Sequence, residues 1–248
     1  MVFDLLSQSL FDYFKSVHFS PFSLRQIQSF AHQLLISVAF LHDLGLIHTD
    51  LKPENLMLVD NETKAQPVKN SKTKTRKMLV STKIILIDFG STIADIDHHS
   101  NVVSTRHYRA PEIILNLGWS YPCDIWSLGC ILVELYTGIA LFQTHEDMEH
   151  LKMMEIVLGA FPTHMINKVP DMNEGIFRYN GTINYPSSNT EQSSQAFLER
   201  METIQSIIRP RTEFEQLFLE FIKSLLTFDP YQRINAHQAL NHPFITFR

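Results

Sequence analysis

The chain has 248 residues, 44% of them apolar, enough to bury a large core in one domain or two. A formal net charge of -5 argues against general nucleic-acid affinity, and the two cysteines, Cys123 and Cys130, complete no zinc site and suit buried reduced thiols better than a disulfide. The start Met1-Val2-Phe3-Asp4 lacks the basic region of a signal peptide, and Glu134 interrupts apolar runs such as Ile131-Leu132-Val133 well before membrane-spanning length, so an intracellular protein is expected.

From Ser23 to His42 the apolar residues Ile27, Phe30, Ala31, Leu34, Leu35, Val38 and Leu41 recur at helical spacing; Ser23 and Gln26 form a capping-box pair and Gly45 ends the run. A long half-buried helix is predicted there. Leu56 to Val59 and Ile84 to Ile87 read as two strands of a hairpin with a long loop, flanking a polar, basic insertion from Asp60 to Lys83. Beyond Pro111 the periodicity is helical again, at Ile125 to Thr137, Asp147 to Leu158, Ala196 to Ile207, Glu213 to Leu226 and Asn235 to Leu240. Most of 163–195, with Pro170, Pro186 and a Ser/Asn/Gln-rich tract, reads as an irregular surface insertion. The expected class is α+β, mainly α, with one small β-hairpin.

Three short segments carry chemistry: His48-Thr49-Asp50-Leu51-Lys52-Pro53-Glu54-Asn55, then Asp88-Phe89-Gly90, then Ala110-Pro111-Glu112. Phosphoryl transfer needs an acceptor for a hydroxyl proton, oxygen ligands for Mg²⁺ and cations against developing phosphate charge. Asp50 suits the first task and Lys52 the last. Asn55 offers an amide oxygen and Asp88 a hard carboxylate to a metal. The two predicted strands bring Asn55 and Asp88 together. Either Asp-x-Lys or Asp-Phe-Gly alone would read as a surface turn; their ordered occurrence around a strand pair does not.

That order resembles the catalytic half of protein kinases. The segments Ser104-Thr105-Arg106-His107-Tyr108-Arg109-Ala110-Pro111-Glu112 and Glu149-His150-Leu151-Lys152-Met153-Met154-Glu155, with Thr49 where most kinases carry Arg, are similar to the LAMMER (CDC-like) family, although Lys152 stands where that family has Ala and Ile156 where it has Arg. The match runs from about Val2 to Phe244 and is weakest between Met165 and Thr212. The resemblance implies a kinase-like C-terminal lobe in which Thr105 bonds Asp50 and Lys52, Asp124 anchors the catalytic loop, and Glu112 pairs with Arg233. It places Phe3 at the gatekeeper, the backbone of Asp4 to Leu6 against adenine, and Met57 on the adenine floor. ATP and Mg²⁺ are the implied cofactors. The implied substrates are Ser/Thr side chains of Arg/Ser-rich splicing factors, with tyrosine autophosphorylation allowed, no direct nucleic-acid or membrane partner, and a location in nucleus or cytoplasm. Thr49 cannot pair with a phosphorylated activation loop, so activity independent of loop phosphorylation is expected, with His98, His99 and Ser100 as plain loop residues. The run Lys72-Thr73-Lys74-Thr75-Arg76-Lys77 reads equally as a nuclear import element or a solvated hairpin tip.

No glycine-rich loop and no Val-Ala-Ile-Lys-type strand precede His48. The expected organisation is a hinge remnant at 1–7 and a lower lobe at 8–248 with insertions at about 60–83 and 163–195, the N-lobe sheet and its helix being absent. Two functions fit this: an incomplete or truncated form of an active kinase, or a catalytically silent substrate-docking module built from the lower lobe.

Overall fold

The computed structural model describes residues 5–67, 75–100, 102–170, 173, 175–187 and 190–248. Val2, Phe3 and Asp4, assigned above to a hinge, lie outside these residues, as do Lys72, Thr73 and Lys74 of the basic run. Helix α1 (Leu10–Ser16) leads into α2 (Leu24–Asp43), whose Ser23/Gln26 capping box closes as the sequence requires. The apolar stripe of α2 is buried from Ile27 to Leu41. Gly45 follows at φ +74°, the left-handed geometry that a side chain would strain.

Short strands β1 (Leu46–Ile47) and β2 (Leu56–Leu58) bracket the catalytic-loop segment, and β2 pairs antiparallel with β5 (Ile84–Leu86), Met57 facing Ile85. The expected hairpin therefore forms. Its long loop is not plain loop, because β3 (Thr63–Pro67) and β4 (Thr75–Leu79) make a second antiparallel ladder inside the insertion. The base of that ladder is tied to α2: Leu79 is buried, Ser29 and Thr82 hydroxyls meet at 2.7 Å, and Gln33 donates to the Thr82 carbonyl at 2.8 Å while accepting from the Ile84 N–H at 3.1 Å. β6 (Ile93–Ala94) pairs with β1. Among the described residues the strands form three two-stranded pairs and no larger sheet.

The remaining mass is helical: α3 (Pro111–Ile114), α4 (Pro122–Thr137), α5 (Asp147–Leu158), α6 (Thr163–Ile166), α7 (Gln192–Leu198), α8 (Ile204–Ile208), α9 (Glu213–Leu225), α10 (Ala236–Leu240) and α11 (Pro243–Thr246). Helix α4 is buried from Cys123 to Leu135 and forms the centre of the core, with Cys123 and Cys130 as free buried thiols. Gly129 lets α9 pass close by, since a Cβ there would meet Leu226 Cδ2 at 2.8 Å. Two expectations need correction. The single helix read over Ala196 to Ile207 is split into α7 and α8, because the Thr203 hydroxyl caps α8 through the Ser206 N–H and starts a new axis. The 163–195 insertion is not purely superficial: Met165, Ile183 and Tyr185 are buried, and the Ile183 N–H donates to Glu155 on α5 at 3.0 Å. No helix among the described residues is long and apolar enough to cross a membrane.

Glu112 and Arg233 form a bidentate pair at 2.8 and 2.9 Å with both side chains fully buried, and Arg233 also donates to the carbonyls of Pro122, Thr227 and Phe228. One guanidinium thus ties the start of α3 and of α4 to the turn before α10. Truncating either partner leaves an uncompensated buried group, at about 3–5 kcal/mol. Arg233→Met is expected to cost more than Glu112→Gln in urea denaturation, since it also orphans three carbonyls. Equal costs would contradict that division.

Candidate active site

The catalytic-loop segment is held from below by one carboxylate. Asp124, almost fully buried on the first turn of α4, accepts from the His48 N–H at 2.9 Å, the Thr49 N–H at 2.9 Å and His42 Nε2 at 3.0 Å. Two successive N–H groups can point at one carboxylate only if the chain turns sharply, and Thr49 takes φ +69°. Non-glycine residues in this region carry strain that surrounding bonds must hold. Asp88, at φ +64°, and Ser104, at φ +68°, share the conformation, so each of the three segments that approach the site carries one such residue.

Above this anchor, Asp50 Oδ2 accepts from Lys52 Nζ at 2.6 Å, and Oδ1 accepts from the Thr105 hydroxyl at 2.6 Å and the Thr105 N–H at 3.1 Å. Lys52 also donates to the Thr105 hydroxyl at 3.3 Å. Burial acts to raise the Asp50 pKa, but the hydrogen bonds from Lys52 and Thr105 and the Lys52 charge outweigh it and hold the carboxyl below its ordinary range. Asp50 is therefore an ionised acceptor at neutral pH.

Asn55 is buried at the end of a 3-10 turn, Pro53–Asn55, and its Nδ2 donates to the Asp50 carbonyl at 2.9 Å, which fixes the amide and leaves Oδ1 as its acceptor end. The Ile87 N–H donates to the Asn55 carbonyl at 2.9 Å, so the β2/β5 pair sets Asp88 beside Asn55 in the chain path. His48 sits between these elements: its Nε2 meets the Ile87 carbonyl at 3.3 Å and its ring lies 5.5 Å from that of Phe89. Thr49, Asp50, Ser91, Val103, Ser104 and Thr105 line an open cleft of about 380 Å³.

Leu6 and Met57 lie elsewhere, outside that lining. The Ser7 N–H donates to the Leu58 carbonyl at 2.9 Å and the Leu58 N–H to the Gln8 carbonyl at 3.0 Å, so the chain around Leu6 runs along β2, where Met57 is half-buried. Asp4, the third residue assigned to nucleotide binding, is outside the described residues.

The segment between Gly90 and Thr105 is fastened by hydrogen bonds and a stacked ring pair. The Thr49 hydroxyl donates to the Ser91 carbonyl at 2.9 Å, and the Ser120 hydroxyl to Asp95 at 2.6 Å. His99, read from sequence as a plain loop residue, stacks on Trp119 at 4.2 Å between centroids. Its Nδ1 donates to the Trp119 carbonyl at 2.9 Å, and the Trp119 indole N–H donates to the Ser100 carbonyl at 2.8 Å. Among the described residues no group of His, Cys, Asp and Glu forms a metal cluster. Further along, Arg109 donates to the carbonyls of Val103 and Ser104, both at 2.9 Å, and Arg106 pairs with Asp147 at the start of α5.

With this geometry in view, a protein kinase domain model matches residues 1–245 of the chain. The chain belongs to the protein kinase family. The chain is 50% identical over 248 residues to the dual specificity protein kinase lkh1 of Schizosaccharomyces pombe, a match covering 99% of this chain and 36% of the relative. It is 44% identical to the serine/threonine-protein kinase AFC3 of Arabidopsis thaliana, covering 98% and 62%, and 40% identical to the human dual specificity protein kinase CLK2, covering 98% and 47%. The crystal structure of a kinase domain superposes with a TM-score of 0.89 at 34% identity, covering 97% of this chain and 71% of that one. These similarities set the chain among the LAMMER (CDC-like) group of that family. It spans less than two thirds of the length of each of the three relatives.

Two residues of the site were not singled out from sequence. The Tyr108 hydroxyl donates to Glu134 Oε2 at 2.7 Å inside the core, beneath the segment that follows Thr105. Burial pushes the Glu134 carboxyl up to about 7 against the Tyr108 hydrogen bond, with repulsion from Glu54 adding to the rise. In sequence, Glu134 was visible only as a charge in an apolar helix. Because its folded pKa is raised, folding favours the protonated acid: that contribution is complete below the ordinary value of 4.5 and is lost as the pH rises through about 7. Glu134→Gln, which keeps an acceptor for Tyr108, is expected to gain thermal stability relative to the parent chain between roughly pH 5 and pH 8. A gap in melting temperature that does not change with pH would contradict the assignment.

Proposed function

We propose that the site transfers the γ-phosphate of ATP to serine and threonine hydroxyls of proteins, with Arg/Ser-rich splicing factors as the substrate class. The observation that carries this reading is the Asp50–Lys52–Thr105 triangle, with Asn55 and Asp88 beside it. Two of the relatives cited are named as dual specificity kinases and one as a serine/threonine kinase, which supports the acceptor type. The splicing-factor class rests on the LAMMER likeness and on a net charge of -5, which suits basic substrates.

In this reading the ionised Asp50 orients the acceptor hydroxyl and takes its proton as the oxygen bonds to the γ-phosphorus. The bond from that phosphorus to the β,γ-bridging oxygen breaks, and ADP leaves. Lys52 shields charge on the transferring phosphoryl group, and Thr105 holds both side chains in register. Asn55 Oδ1 and the Asp88 carboxylate are hard oxygen donors of the kind Mg²⁺ prefers, and the hydrogen bond that commits the Asn55 amide to Asp50 leaves that oxygen for a metal. Bound there, Mg²⁺ would neutralise phosphate charge. Leu6 and Met57 on the β2 side would face the adenine.

The test is transfer of labelled phosphate from Mg-ATP to an Arg/Ser-repeat peptide. Asp50→Asn is expected to lower kcat by about two to four orders of magnitude with little change in KM for ATP, and Asp88→Ala to abolish transfer. An equal rise in KM with Asp50→Asn would contradict the role of Asp50. Because Thr49 replaces the arginine that would read a loop phosphate, phosphatase treatment is expected to leave turnover unchanged. Loss of activity on dephosphorylation would overturn that.

A further inference from the structure

Between the loop 117–120 ahead of α4, helix α6 and the turn 229–231 ahead of α10 lies a second cleft, of about 280 Å³. It shares no lining residue with the cleft at Asp50, and the proposed reaction uses none of its side chains. Its inner wall is apolar: Trp119 is 8% exposed and Met165 3%, with Pro122 and Pro230 beside them. The rim adds a second aromatic ring, that of Tyr231, which is 90% exposed.

The charges on the lining decide which polar group a guest can carry. Asp229 is the one carboxylate among the lining residues, and it is already engaged: His164 Nε2 meets its Oδ2 at 2.8 Å, and the Tyr231 N–H donates to its Oδ1 at 3.0 Å. Lys168 stands opposite, its Nζ 5.9 Å from the centre of the Tyr231 ring, and among the described residues it pairs with no carboxylate. The cleft therefore offers an apolar floor, an aromatic wall and one uncompensated ammonium at its rim. A cationic guest would meet that ammonium with no free carboxylate to offset it, whereas an anionic one completes it.

Size and shape narrow the guest further. Drug-sized ligands fill roughly 300–1,000 Å³, so this cleft suits a smaller molecule. Two aromatic side chains on its walls favour a guest that is itself a ring, through offset or edge contacts. We infer that the cleft binds small aromatic carboxylates, with the ring between Trp119 and Tyr231 and the carboxylate on Lys168. Trp119 also stacks on His99 at 4.2 Å and donates to the Ser100 carbonyl at 2.8 Å, so the guest rests against the residue that clasps the segment before Thr105. The binding does not depend on the phosphoryl-transfer reading and is measured without nucleotide.

The experiment is a fluorine NMR titration of para-trifluoromethylbenzoate, with para-trifluoromethylbenzamide as its neutral counterpart and trifluoroacetate as the charge without the ring. The benzoate is expected to bind with a dissociation constant of about 1 mM, the benzamide roughly three- to fivefold more weakly, and trifluoroacetate not at all below about 10 mM. Lys168→Gln is expected to abolish the preference for the acid over the amide, and Tyr231→Ala to weaken both roughly fivefold. Both residues are exposed, so both variants fold. Lys223→Gln, which removes the same charge from an exposed position on α9, is expected to leave every affinity within about 1.5-fold. Equal affinity of the parent chain for acid and amide would overturn the site, as would an acid preference that survives Lys168→Gln or affinities untouched by Tyr231→Ala. Trifluoroacetate binding as tightly as the benzoate would overturn it in favour of a bare anion contact.

Discussion

The arrangement of the site depends on a single buried carboxylate. Asp124 collects two successive backbone N–H groups and an imidazole from the end of α2, and in doing so it holds the turn at Thr49 in a left-handed conformation. The carboxylate cannot be solvated where it sits, so each donor it holds is held firmly: to release one is to leave an acceptor unfilled in the core. Asp50 follows Thr49 directly, so its placement above α4 is set by the anchor, not by its own contacts. Strain at Thr49 is thus the local cost of presenting Asp50, and α4, buried along almost its whole length, is the rigid body against which it is borne.

A second constraint fixes the far side of the cleft. Thr105 reaches Asp50 only because the segment around it is fastened at several points: Arg109 to two carbonyls, Tyr108 to Glu134, Arg106 to Asp147, and the whole to the Glu112–Arg233 pair. Upstream, His99 and Trp119 clasp the segment through a stacked ring pair and two hydrogen bonds of opposite direction. These contacts join the segment to α4, α5 and the loop before it. The consequence is a segment whose order comes from packing, in keeping with a threonine at position 49.

Helix α5 braces the Thr105 segment from outside the cleft at Asp50. Its first turn gives Asp147 to Arg106 on the side of the Thr105 segment, and Glu149 to Thr144 on the other. Farther along, His150 is fully buried with both ring nitrogens unpartnered, and burial, with the nearby Arg109 and Arg106 charges, pushes its pKa down to about 3. A neutral imidazole packed 5.3 Å from the Phe142 ring is a structural filler here.

The sequence by itself marked the candidate groups and the local elements. The order of His48–Asn55, Asp88–Gly90 and Ala110–Glu112 singled out the candidate acceptor, cation and oxygen donors, because the proposed reaction demands particular side chains at close spacing along the chain. The 3.6-residue stripe of α2 and its capping box, and the strand pair beside Asn55, followed from periodicity, which local sterics impose. What only the tertiary structure decided was everything that joins distant segments. The break between α7 and α8, the ladder inside 60–83, the clasp of His99 on Trp119 and the pairing of Tyr108 with Glu134 all depend on which side chains meet once the chain is packed. A charge in an apolar helix looks the same in sequence whether it faces a cation, a hydroxyl or water. Burial and partners, which arise only on packing, decide which of these it meets and hence what it does.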